Sequence, residues 1–93
     1  MQKDIEWFKK EVLPLLKDYE ITYRYYKEGD FGALHQVIFE SKKKGGGIDF
    51  WELGWLGIDL YDYEKEKEII NILVSPNEYD EKDKAIEKLI SLL

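Results

Sequence analysis

The chain of 93 residues has no cysteine, one histidine, one methionine and two prolines. Without cysteine there is no disulfide and no thiolate metal site, and a single histidine leaves the usual zinc ligand sets incomplete. A domain this short sits near the lower limit of what folds without such staples, so core packing must hold it together. Residues 1–93 therefore read as a single domain. Long apolar runs are also missing. The best of them, Ile69 to Val74, is far too short to span a bilayer. Met1 opens an acidic, amphipathic stretch with no basic region before an apolar one, so no signal peptide is expected. These absences predict a soluble, cytoplasmic protein, and the lack of cysteine suits a reducing compartment.

Basic residues are in deficit: 14 Lys and Arg face 20 Asp and Glu, for a net charge of -6. The excess is local. Asp59, Asp62, Glu64, Glu66, Glu68, Glu78, Asp80, Glu81 and Asp83 stand against only Lys65, Lys67 and Lys82. A field of this sign repels phosphate backbones and attracts basic proteins. It also serves plain solubility.

Aromatics, in contrast, make up 15% of the chain. Ile5, Phe8, Val12, Leu15, Leu16 and Tyr19 fall at helical spacing, which predicts a helix from Asp4, its cap, to about Asp18. Pro14 should kink it near Lys10. Ile21 to Tyr26 (ITYRYY) is a strand by its β-branched and aromatic content. KEGDFG is then a turn, and Ala33 to Ser41 a second strand. Lys42 to Gly47 (KKKGGG) reads as a flexible, exposed loop. Ile48 to Leu53 and Leu56 to Asp62 follow as strands with a tight connection at Glu52-Leu53-Gly54-Trp55. The segment YEKEKEIINILVSP, and residues 68–74 above all, suits either helix or strand. A turn at Glu64 to Lys67 and a strand from Ile69 to Val74 fit better, because Ser75-Pro76-Asn77-Glu78 has the form of a capping box opening a last helix. Tyr79, Ile86, Leu89, Ile90 and Leu93 would line that helix's buried stripe. The order is α-β-β-β-β-β-α. Short links imply an antiparallel meander of four to five strands, so the expected fold is α+β with both helices on one sheet face.

Strand alternation then places Arg24, Tyr26, Gln36, Ile38, Asp49, Trp51, Asp59 and Tyr61 on the other, solvated face. Tyr, Trp and Arg are the residue types that dominate binding hot spots. The candidate partner-binding residues are Arg24, Tyr26, Asp49, Trp51, Trp55, Asp59 and Tyr61, with Arg24 orienting one of the acids. Trp55, between Gly54 and Gly57, should be partly packed and Trp51 the more exposed.

Catalytic readings are weaker. His35 falls on the helix side with Val37, away from Asp49 and Asp59, so it lacks the oriented acid that a general base needs. Asp49 and Asp59 could pair across a hairpin, but a flat sheet offers little cleft and no DxDxDG calcium loop is present. Gly45-Gly46-Gly47 lacks the GK[ST] ending of a phosphate loop. Lys42, Lys43 and Lys44 are better read as solvated than as a nucleic-acid contact. The expectation is a non-enzymatic binding module with no cofactor and no metal, whose partner is a protein rather than nucleic acid or membrane. A small-ligand or carbohydrate-binding domain, with Trp51 and Trp55 stacking on a sugar, is the alternative. A homodimer formed through the aromatic face is another.

GGGIDFWELGWLGIDLYD (Gly45 to Asp62), followed by an acidic stretch and a terminal amphipathic helix, resembles small bacterial immunity proteins of polymorphic or contact-dependent toxin systems. The likeness covers about Gly45 to Leu93 in pattern and the whole chain in size and charge. It implies a cytoplasmic toxin inhibitor whose acidic, aromatic face meets a basic toxin domain, often a nuclease.

Overall fold

A computed structural model describes residues 3–93. Its elements are a helical segment (α1, Ile5–Trp7, continuing through Phe8–Val12 and Leu13–Leu15), five strands (β1, Glu20–Gly29; β2, Gly32–Glu40; β3, Lys44–Trp51; β4, Leu56–Asp62; β5, Lys67–Val74) and a final helix (α2, Tyr79–Leu92). The strands form one antiparallel meander in the order β1-β2-β3-β4-β5. The α+β architecture and the α-β-β-β-β-β-α order are those expected, and residues 67–74 are a strand.

The N-terminal segment is helical but irregular, and it stops earlier than the expected Asp18. Asp4 caps it, its carboxylate accepting from the Trp7 N–H at 2.9 Å. Pro14 offers no N–H to the Lys10 carbonyl, and its ring crowds that carbonyl. The backbone answers by widening over Phe8–Val12 into a π turn, where the Leu13 N–H reaches the Phe8 carbonyl. It then tightens to 3₁₀ over Leu13–Leu15 and ends with the Leu16 N–H on the Leu13 carbonyl. The altered phase turns Leu15 outward, 52% exposed, while Phe8, Val12 and Leu16 are buried. Trp7 joins them, edge-on to Phe50. Tyr19 lies beyond the helix and packs edge-on against Phe39.

The segment Lys44 to Gly47 is not a loop. All three glycines belong to β3, and the turn is reduced to Ser41, Lys42 and Lys43. The Ser41 hydroxyl accepts from the Lys43 and Lys44 N–H groups to close that turn. Glycine is required here for close approach: a Cβ on Gly46 would stand 2.1 Å from the Asp59 carbonyl oxygen. Likewise, Ser75-Pro76-Asn77-Glu78 is a turn before the helix rather than its first turn. The Glu78 carboxylate accepts from both the backbone and the hydroxyl of Ser75, and α2 begins only at Tyr79. Along α2, Tyr79 and Ile90 are exposed, and Ala85, Ile86 and Leu89 form the buried stripe.

One sheet face holds the core. Val37, Phe39, Ile48, Phe50, Ile58, Leu60 and Ile70 pack against Phe8, Val12 and Leu16 on one side and Ile86 and Leu89 on the other. Each such side chain contributes about 1.5–3 kcal/mol on burial. Asp62 is the one buried charged residue among those described. It accepts from the Glu64 and Lys65 N–H groups at 2.9 and 3.0 Å and so shapes the β4–β5 turn. These donors, with the charges of Lys65 and Lys44, hold its carboxyl below the usual range.

Candidate functional site

The register fixes what the opposite sheet face presents. Residues directly across an antiparallel ladder share a face. One cross-strand row reads Arg24, Gln36, Asp49, Gly57, Leu73; the next reads Thr22, Ile38, Gly47, Asp59, Asn71. Tyr26, Leu34 and Trp51 form a row toward one end, and Glu40, Gly45, Tyr61 and Glu68 a row toward the other. Neither helix covers this face. Six of the candidate residues, Arg24, Tyr26, Asp49, Trp51, Asp59 and Tyr61, therefore share it. Arg24 and Asp59 are exposed, Tyr26 and Tyr61 are 43% and 38% exposed, and Asp49 and Trp51 are half-buried.

Glycine shapes the middle of the face. Gly47 and Gly57 sit diagonally across β3 and β4, each opposite an aspartate. A Cβ on Gly57 would stand 3.2 Å from the Trp51 ring and 3.3 Å from the Asp49 carboxylate; one on Gly47 would stand 3.4 Å from that of Asp59. The indole and both carboxylates thus lie low against bare backbone. This costs the acids water. Burial raises the Asp49 carboxyl above its ordinary value, partly offset by the Gln36 amide that donates to it at 2.8 Å. Asp59 is raised as well, first by burial and then by the negative charges of Asp49 and Glu68. Arg24 is not the orienting partner. Gln36 stands between it and Asp49 in the row and makes the bond itself.

Trp55 lies off the face, in the β3–β4 connection. It stacks on Phe31 with ring centroids 4.2 Å apart, and Phe31 meets Trp51 edge-on at 5.2 Å. Trp51 and Trp55 are both half-buried, rather than Trp51 standing clear of the surface. Phe31, Glu68 and Leu73 are members of this surface that the strand pattern alone did not single out. Phe31 sits in a turn, and Glu68 and Leu73 belong to the segment whose helix or strand character was open.

A cleft also exists, on the helical side. About 970 Å³ opens between the N-terminal segment, α2 and the β3–β4 connection, with Phe50, Tyr25, His35 and Trp55 among its walls. Sequence reasoning missed it because the gap lies between the two helices rather than on the sheet. Its charges are largely matched internally. Lys3 pairs with Asp83 at 3.2 Å, and the Lys82 ammonium donates to the Pro76 carbonyl at 3.1 Å. His35 is exposed and lies against the Tyr25 ring at 4.8 Å. Among the described residues there is no group of three potential metal ligands, and no helix is long and apolar enough to cross a membrane.

Comparison of the chain with protein families, with curated proteins and with solved structures gives no match.

Proposed function

We propose that the protein is a non-enzymatic protein-binding module, an immunity protein that neutralises a basic toxin domain in the cytoplasm through its open sheet face. The observation that carries this reading is the composition of that face: two partly desolvated aspartates on a glycine floor, flanked by Trp51, Tyr61 and Tyr26. Ionised carboxylates held low against the sheet gain most from a cationic side chain, since a lysine or arginine restores the charge partner that burial has withdrawn. The rings beside them supply apolar and cation–π contact. The negative field of the chain would speed the encounter with a positive cleft.

The test is binding of the toxin domain encoded beside this chain. A Trp51→Ala, Asp59→Ala double variant should bind at least about thirtyfold more weakly, the scale of losing a hot spot. The wild-type association rate should fall steeply with salt. Undiminished affinity in the double variant would remove this face from the interface. A gene neighbourhood with no secreted protein bearing a variable C-terminal domain would count against immunity itself.

The helical-side cleft supports a second reading, a small-ligand or carbohydrate site with Trp55 in its wall. Its volume lies at the upper end of ligand pockets. Glycan binding abolished by Trp55→Ala and indifferent to Asp59→Ala would favour it.

A further inference from the structure

The two edges of the sheet are unlike. β5 starts after a turn with Glu66 at φ 53, carries Lys67 and Glu68, pairs through a bulge opposite Leu60 and Tyr61, and runs into Ser75-Pro76. Charges, bulges and proline are the devices that keep an edge from pairing. β1 has neither bulge nor proline between Glu20 and Tyr26, and its two charges there, Glu20 and Arg24, are of opposite sign. It pairs only with β2, its register there is regular, and all of it except Ile21 is exposed. Its outward N–H and C=O groups face water along a sequence, EITYRYY, of high strand propensity.

We propose that a second copy of this chain occupies this edge, with β1 pairing antiparallel to β1 about a two-fold axis at Thr22. The register follows from charge. An axis at Thr22 sets Arg24 opposite Glu20 of the other copy, twice, and Thr22 opposite Thr22 on the open face. On the helical face it sets Tyr23 opposite Ile21. Opposite charges, paired threonines and aromatic with β-branched residues are the favourable cross-strand pairs. No other axis along the strand sets Arg24 opposite Glu20, and one at Arg24 would oppose two arginines.

The wider charge distribution agrees. Glu20 and Arg24 cancel at this edge, while the chain's excess of -6 sits in residues 59–83, which span the end of β4, all of β5 and the start of α2 at the far side. Pairing through β1 places the two acidic flanks at opposite ends of a ten-stranded sheet. The open faces then lie side by side, so the dimer would present two copies of the candidate surface. This surface differs from the aromatic face that the sequence suggested for self-association.

Sedimentation equilibrium on the full chain tests it. The wild type should move from 11.1 kDa toward twice that mass as its concentration rises to about 1 mM. Glu20→Arg and Arg24→Glu each place like charges in both cross-strand positions and should weaken the dimer about tenfold or more. An equal mixture of the two variants should restore it, because every pair becomes Arg against Glu again. Circular dichroism confirms that each variant is folded. A wild type that stays monomeric at about 1 mM overturns the proposal, and so do variants that dimerise as well alone as the wild type does.

Discussion

A single methyl group at Gly46 tests the way the sheet is built. A Cβ there would lie 2.1 Å from the Asp59 carbonyl oxygen and 3.0 Å from the Leu60 Cα, whereas ordinary contact begins near 3.4 Å. These obstacles are backbone, so no side chain can swing aside. β3 and β4 must part by roughly 1 Å at a spacing of about 4.8 Å. Ladder hydrogen bonds near 2.9 Å would stretch past their useful range. Losing two of them costs about 2 kcal/mol. Disturbing the packing of Phe39 and Leu60, which flank Gly46 on the core face, adds about 1–2 kcal/mol. Gly46→Ala should therefore cost about 3–4 kcal/mol, out of a total of roughly 5–14 kcal/mol for a chain of this length. The melting temperature should fall by about 12–30 °C. Gly47→Ala is the control. Its Cβ would meet the Val37 carbonyl oxygen at 3.0 Å, a contact that small shifts relieve, so its cost should be about 1 kcal/mol. Urea unfolding followed by circular dichroism measures both. If Gly46→Ala unfolds within about 0.5 kcal/mol of the wild type, the close approach of β3 and β4 is not real.

Three further outcomes follow from the same geometry. Leu16→Ala should cost about 2–5 kcal/mol and Leu15→Ala under about 0.5 kcal/mol in urea unfolding, because the turn at Pro14 buries one and exposes the other; equal costs would refute the altered helical phase. Asp59→Asn should stabilise the fold at neutral pH by under about 1 kcal/mol after solvent screening. The folded state raises this carboxyl, so wild-type stability falls as pH rises from the ordinary carboxylate value through the raised one; the advantage of Asn should vanish below that range. Asp62→Asn should act in the opposite sense, since the fold lowers this carboxyl. It should reduce the urea midpoint at neutral pH, with the difference lost as pH falls through the folded-state value.

Strand parity was legible in the sequence because it is a local rule. Ile48, Phe50, Ile58 and Leu60 alternate with Asp49, Asp59 and Tyr61, and the structure keeps each set on its own face. What escaped depended on non-local contact. Gly45 to Gly47 look like a loop by composition, and only the approach of the Asp59 carbonyl shows why a strand needs them. Pro14 signals a defect, but the choice between a kink and a change to π and 3₁₀ turns depends on what Leu16 and Val12 pack against. Gln36 became the partner of Asp49 through strand pairing across the sheet, a contact no spacing along the chain displays. Phe31 is invisible for the same reason: its ring meets Trp51 and Trp55 only once two separate turns are brought together at one end of the sheet.

The cleft and the open face differ in what remains to be gained by binding. In the cleft between the helices, Lys3 already has Asp83, and Lys82 already has the Pro76 carbonyl. An incoming polar ligand must break or share those contacts, and the net return is small. On the open face, Asp49 has one amide donor and Asp59 has two negative neighbours. Burial raises both carboxyls, so their charged forms are costly to the folded chain, and a cation from the proposed partner would offset that cost on binding. The free energy so released belongs to the complex and not to the isolated fold. A surface kept for stability alone would carry Asn or Thr at these positions. Retaining two aspartates over glycine makes physical sense where a basic group completes the site.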